Sequence, residues 1–379
     1  MTPVAPPPSL LERWFGARDR LLASPRFQRW AAAFPLTRPV AQARARALFD
    51  LCAGFVYSQI LLACVRLRVC DILFEGPQPL DALAARLALS EAAAARLLDA
   101  AVALRLAARR RDGRYAIGDL GAALVGNPGI AAMVEHHALV YADLRDPVAL
   151  LRGTQGETGL ARYWPYAAGG EPAALGAERV ADYTALMSAS QALVAGEVLD
   201  AYPLDRHRCL LDVGGGDGTF LVAAAARAPR LRLLLFDLPA VAARARARFA
   251  AAGLADRASA AGGDFHADPL PAGADIASLV RVLHDHDDER ALGILHAIRR
   301  ALPPGGVLLL AEPMAGAPGA GRVGDAYFGF YLLAMGRGRP RTAAEYRELL
   351  RRTGFGESRL VATRQPLQTC LIVATVNPA

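Results

Sequence analysis

The chain has 379 residues, 54% of them hydrophobic and 21% charged, which is enough apolar material for a large buried core and enough length for two domains. That composition excludes a disordered, collagenous or disulfide-built chain. The formal charge of +7 is local: eight Arg (13, 18, 20, 26, 29, 38, 44, 46) against Glu12 and Asp19 give residues 1–46 a net +6, and the near-neutral remainder argues against a nucleic-acid partner.

After a Pro-rich start, Leu10, Leu11, Trp14, Phe15, Leu21 and Leu22 fall on one side of a helical wheel, and Phe27, Trp30 and Phe34 continue the pattern after Pro25. Such an arm either packs on a partner subunit or lies on an anionic membrane surface, the second through residues 10–34. Residues 47–75 read as one long apolar helix. A short helix follows at 80–87, then Ser90 as N-cap for a helix from Glu91 to Leu104, then a hairpin over 109–117 turning at Asp112-Gly113. Helix, turn, helix, hairpin is the winged-helix order. The would-be recognition helix carries only Arg96 among Ala and Leu, so the module predicts oligomerisation rather than DNA reading.

Residues 126–200 read as helical, with breaks at Pro147, Pro165 and Pro172. From Cys209 onward, short apolar runs at 210–213, 231–236, 276–283, 307–311 and 371–376 alternate with Ala-rich helical stretches, the pattern of a doubly wound parallel α/β sheet. These textures divide the chain into an arm (1–40), a mostly helical, winged-helix-like dimerisation domain (41–125), a helical connecting region with acceptor-pocket elements (126–200) and a Rossmann-like domain (201–379). The five Cys (52, 64, 70, 209, 370) show no C-x-x-C and no His at ligand spacing, which predicts neither zinc nor disulfides. No run reaches about 18 uninterrupted apolar residues, and the start lacks the basic-then-apolar order of a signal peptide, so the expectation is a cytoplasmic chain that does not span a membrane.

The stretch from Leu210 to Phe220 runs a buried strand containing Asp212 into a glycine loop, Gly214-Gly215-Gly216-Asp217-Gly218, that opens a helix. The next strand ends Phe236-Asp237-Leu238, placing an acid 19 residues after Gly218, where it can accept both hydroxyls of a ribose. Thr219 stands where a dinucleotide fingerprint needs its third spaced glycine, Gly263-Asp264-Phe265 marks a further strand end, and Pro303-Pro304-Gly305-Gly306 precedes Val307–Leu310. This series resembles the class I S-adenosyl-L-methionine-dependent methyltransferases over most of residues 205–379. Arg281-Val282-Leu283-His284-Asp285 followed by Ala311-Glu312-Pro313 is similar to the small-molecule O-methyltransferases typified by plant caffeate and animal acetylserotonin enzymes, whose N-terminal dimerisation domain extends the likeness to about residue 45. Residues 22–30, 44–50 and 54–59 further resemble the carotenoid O-methyltransferases of purple phototrophs.

The resemblance implies Asp237 at the ribose, Asp264 and Phe265 at the adenine, and Arg281 near the cofactor. Asp212, Gly214, Gly216, Gly218 and Leu238 complete the cofactor set. It further implies His284 as general base, Glu312 as the acid orienting it, and Tyr183 and Met187 near a hydrophobic hydroxylated acceptor. The family's second acid before the Arg-Thr pair is Pro340 here, and Asp285 is the candidate substitute. The implied activity is methylation of the C-1 hydroxyl of an acyclic carotenoid by a homodimer. A phenolic or tetrapyrrole acceptor, or a silent ligand-sensing regulator, remains the alternative. The acids after His286 predict first-turn charges facing a helix dipole rather than metal ligands.

Overall fold

The computed structural model describes residues 9–163, 177–367 and 369–377, without the side chains of 177–185 and 189. The Pro-rich start and the breaks expected at Pro165 and Pro172 lie outside the described residues. The chain forms two compact units, residues 1–122 and 123–379.

In the first unit, Ser9 and Glu12 form a reciprocal cap on α1 (Leu10–Ala23), and Ser24 with Pro25 starts α2 (Pro25–Ala33). The long helix expected over 47–75 divides into α3 (Arg38–Arg66) and α4 (Val69–Phe74), because Arg68 takes a left-handed φ of 55° between them. Of the 29 residues of α3, only Leu62 and Cys64 are buried. By length and composition this helix could cross a membrane, which a count of uninterrupted apolar residues passed over. Then come α5 (Leu80–Arg86), α6 (Glu91–Ala103) capped by the Ser90 hydroxyl, and an antiparallel hairpin of β1 (Ala107–Arg109) and β2 (Tyr115–Ile117).

The helix α7 (Asp119–Val125) contains the boundary between the units. The second unit continues with α8 (Pro128–Asp143), α9 (Pro147–Leu151), α10 (Gly159–Tyr163) and α11 (Ala177–Ala201). Its alternating part is β3 (Cys209–Val213), α12 (Thr219–Arg227), β4 (Arg232–Asp237), α13 (Pro239–Ala251), β5 (Ala258–Gly262), β6 (Ile276–Val280), α14 (Asp288–Ala301) and β7 (Val307–Glu312). It closes with α15 (Phe328–Met335), α16 (Ala343–Arg352), β8 (Phe355–Val361) and β9 (Cys370–Val376). The seven strands lie in the order β5-β4-β3-β6-β7-β9-β8, parallel from β5 to β7, with β9 and β8 antiparallel at one edge.

Every residue of β3 and β6 is buried, as expected where helices cover both faces of a sheet. Side chains alternate between two cores: Leu211, Val213 and Leu279 meet Ile294, Leu295 and Tyr346, while Leu210, Leu233 and Leu235 meet Phe220 and Phe249. Strand order reverses around β3, so the carboxyl ends of β3, β4, β6 and β7 face a crevice at a topological switch point. The strand expected to run to Leu283 stops at Val280, because Arg281 adopts a φ of 59° and Leu283–Asp285 forms a single tight helical turn.

Candidate active site

The crevice is an open cleft bordered by the glycine loop, by Asp237 and Phe265, by Arg281 and Asp285, and by Met187 on α11. Gly214 and Gly216 line it. Gly216 has a φ of +61° and nothing within 4 Å of where a Cβ would stand, so backbone there is bare for a ligand to approach. Asp237 accepts from the Gly216 amide at 2.8 Å and from the Leu238 amide at 2.7 Å, which fixes the carboxylate against the loop. An exposed backbone cradle beside a held carboxylate fits a nucleoside whose hydroxyls need an acceptor.

Two of the expected cofactor residues lie outside the cleft lining. Gly218 does not border the cleft; it starts α12 with a φ of +83°, and a Cβ would lie 2.5 Å from the Phe249 ring. Asp212 is likewise off the cleft. It lies beneath Gly215, where a Cβ would stand 2.6 Å from its Oδ2, and its Oδ1 accepts from Ser278 at 2.6 Å. Both residues shape the loop from outside the cleft lining. Burial pushes the Asp212 carboxyl up to about 7.

Leu238 and Asp264 border a smaller recess that shares Asp237, Phe265 and His286 with the main cleft. Phe265 stands edge-on to His266 and His286, with ring centroids 4.8 and 5.5 Å apart, giving an aromatic wall that suits a flat base. His286 is held down at about 3 by burial, then by His266, Arg290 and other nearby cations, so it stays neutral. Arg281 reaches Ser190 at 2.7 Å and the Met187 sulfur at 2.9 Å, and Met187 itself borders the cleft. Tyr183 is on α11, and its side chain lies outside the described residues.

Beside the cleft stands a buried histidine–carboxylate cluster. Glu312, at the end of β7, accepts from the amides of Val282 and Leu283 at 3.1 and 2.7 Å and from His284 Nδ1. It therefore holds the ring from its Nδ1 side. Asp285 is a second carboxylate on the same ring, its Oδ1 3.0 Å from Nε2, the other ring nitrogen. His284 is absent from the cleft lining, whereas Asp285 is part of it. Burial opposes a charge on the imidazole, yet Asp285 and then Glu312 outweigh it and hold the ring at about 10, as the imidazolium. Burial also keeps Asp285 above the usual carboxylate range.

Sequence reasoning missed Ser188, Gln191, Gly215, Asp217 and Thr219 in the cleft, and Arg341 beneath the cluster. Glycine-loop membership was the available signal for Gly215, Asp217 and Thr219. The fully buried Arg341 donates to the carbonyls of Leu283 at 3.0 Å and His286 at 2.7 Å and to Asp288 at 2.7 Å, while the Arg339 amide donates to the carbonyl of His284. This clamps the backbone on both sides of His284. No His, Cys, Asp or Glu group among the described residues is arranged to hold a metal.

Comparison with known proteins follows the same division. Residues 141–356 match the O-methyltransferase domain family and residues 49–127 the O-methyltransferase dimerisation domain. The chain is 46% identical to demethylspheroidene O-methyltransferase of Cereibacter sphaeroides, over 95% of this chain and 94% of that one. It is 35% identical to the acetylserotonin O-methyltransferase of Mus musculus, over 85% of this chain and 86% of that one. Among solved structures, human N-acetylserotonin methyltransferase in complex with SAM superposes with a TM-score of 0.71 at 25% identity, covering 88% of this chain and 98% of that one.

Proposed function

We propose a substrate on one premise: the chain belongs to the S-adenosyl-L-methionine-dependent O-methyltransferase family. It methylates the C-1 hydroxyl of an acyclic carotenoid, a step of carotenoid biosynthesis. What carries this reading is the 46% identity, along nearly the whole of both chains, to an enzyme named for demethylspheroidene.

The residues present fit the cofactor. Gly214, Gly216 and Thr219 would border its amino-acid and ribose portions, Asp237 the ribose hydroxyls, Phe265 and Asp264 the adenine, and Arg281 the methionyl side. When bound, S-adenosyl-L-methionine supplies an electrophilic methyl on a sulfonium. The chain's own task is to hold the acceptor oxygen behind that methyl and to accept its proton. A tertiary aliphatic hydroxyl is far less acidic than a phenol, so proton removal must accompany attack and alignment carries much of the rate. The histidine–carboxylate cluster at residues 284, 285 and 312 is the proton acceptor. Within it His284 is the general base, with Glu312 on Nδ1 to orient the ring and Asp285 Oδ1 3.0 Å from Nε2.

The dimerisation domain makes the working unit a homodimer. Peripheral contact with the cytoplasmic membrane surface through residues 10–34 is part of this reading, since a carotenoid is dissolved in lipid. Leu10, Trp14 and Trp30 are 82%, 60% and 51% exposed among the arginines of the arm. The test is a mass-spectrometric assay with S-adenosyl-L-methionine that offers hydroxylated acyclic carotenoids in detergent beside a panel of phenols. A gain of one methyl on the carotenoid is the expected result. Methylation of a phenol alone overturns the substrate, and cofactor binding with no product on any acceptor overturns the activity.

A further inference from the structure

We infer that Arg248 on α13 is a positioning residue for the cofactor: it anchors Asp217 and through it holds the glycine loop in the shape that receives S-adenosyl-L-methionine. The inference rests on the placement of the cofactor in the cleft and goes beyond it, to a residue outside both the loop and the cleft lining.

The loop needs holding. Gly214, Gly216 and Gly218 take φ values of 67°, 61° and 83°, a region that glycine enters at no steric cost and leaves as easily, so neighbours must supply the restraint. On one side the restraint is Asp237, whose carboxylate accepts from the Gly216 amide at 2.8 Å. On the other it is Asp217, the non-glycine residue of the stretch 214–218 and itself part of the cleft lining. Gly216, the point of bare backbone in the cleft, adjoins Asp217 in the chain, so slack in Asp217 passes directly to it.

Asp217 is tied to three helices. Its Oδ1 accepts from the Thr219 hydroxyl at 2.7 Å and from the Thr219 amide at 3.3 Å, in the first turn of α12. Ser188 of α11 adds a hydrogen bond to the carboxylate, and the Arg248 guanidinium of α13 donates to Oδ2. Burial pushes the Asp217 carboxyl up, but Ser188, Thr219 and then Arg248 outweigh it and hold it below the usual carboxylate range, so it faces Arg248 as an anion. The next residue of α13, Phe249, stands where a Cβ on Gly218 would fall. Two consecutive side chains of one helix therefore brace one loop, the ring beneath Gly218 and the guanidinium on Asp217. The Arg248 side chain is 44% exposed, and an ion pair with so open a partner adds little to global stability. Its effect falls on the local geometry of the loop.

Two measurements on the full-length protein test this. In amide exchange read by mass spectrometry without cofactor, Arg248→Ala should speed exchange in the peptide carrying residues 214–218 and leave the rest of the second unit as in wild type. By calorimetry with S-adenosyl-L-methionine, Arg248→Ala should raise Kd about tenfold. Asp217→Asn keeps the shape of the side chain but removes the charge that Arg248 holds. In that background Arg248→Ala should add little further to Kd, since the two residues act through one contact. The exchange measurement contains no cofactor, so its failure is distinct from a failure of the cofactor placement, which would show as wild-type protein that binds no S-adenosyl-L-methionine. Loop exchange unchanged by Arg248→Ala, or raised equally across the second unit, overturns the assignment. So does a Kd within about twofold of wild type, or an effect on Kd that persists undiminished in Asp217→Asn.

Discussion

Helix α3 in the first unit and strands β3 and β6 in the second are all rich in apolar residues, yet the helix buries two of its 29 residues and the strands bury all of theirs. Apolar composition alone does not make a core; a matching surface does. In the second unit the matching surfaces are helices of the same unit lying on both sheet faces. In the first unit Leu48, Phe49, Leu51 and Phe55 are each more than 60% exposed. Contiguous exposure on this scale marks an interaction surface, and the dimerisation domain that begins at residue 49 supplies a partner for part of it. The second unit therefore carries chemistry on a self-contained scaffold, while the first presents surface to something else.

The contrast predicts that single substitutions damage one unit and that only larger changes damage the other. The largest expected effect is at the cluster. His284→Ala should lower turnover by about a hundredfold or more while calorimetry finds cofactor affinity nearly unchanged, because the ring lies behind the cleft rather than in its lining. Equal turnover would remove His284 from the proton step in any role. Next is Asp237→Ala, which loses a carboxylate held by two backbone amides at the proposed ribose position. Charged hydrogen bonds contribute roughly 1.5–3 kcal/mol, so the cofactor Kd should rise about ten- to a hundredfold; a Kd within twofold would refute the placement.

Much of this site was legible because its chemistry sits at strand ends, where a run of apolar residues breaks into Gly, Asp or His. Asp237 and the glycine loop were found that way, and Glu312 through the family resemblance of the Ala311-Glu312-Pro313 strand end. What the sequence could not reveal depends on neighbours distant in the chain. Whether a loop glycine faces ligand or protein is decided for Gly218 by Phe249, 31 residues on. The role of Arg341 depends on a loop more than fifty residues earlier. The edge strand β5, Ala258–Gly262, is built from Ala, Ser and Gly and shows no apolar run; only the Gly263-Asp264-Phe265 motif beyond it gave a signal. The break of α3 from α4 rests on the backbone angle of one arginine, which no periodicity encodes.

The first unit should respond differently. Deleting residues 1–35 should abolish co-sedimentation with vesicles containing anionic lipid while leaving cofactor binding in the second unit intact. Each arginine near such a surface contributes about 1 kcal/mol, and exposed Trp14, Phe15 and Trp30 supply the interfacial aromatic rings. Arg18 already lies over Phe15 at 4.8 Å, so charge and ring present one face together. Binding should weaken as salt rises. Sedimentation unchanged by the deletion would make the arm a subunit contact instead.

The smallest effect is a matter of pH. Asp212 is fully buried beneath the glycine loop, with a carboxyl pushed up from 3.8 to about 7 by burial. The folded protein thus holds a proton that the unfolded chain releases, and this group contributes stability that is complete below about pH 4 and lost as pH rises through 7. Asp212→Asn keeps the oxygen that accepts from Ser278 but cannot ionise. Its melting temperature should match wild type near pH 4 and exceed it at pH 8, by about 2–4 °C for each kcal/mol of buried charge removed. A wild type that is the more stable of the two at pH 8 would mean that the carboxylate form is favoured under the loop. Asp212 would then belong to the working charge of the site rather than to its support.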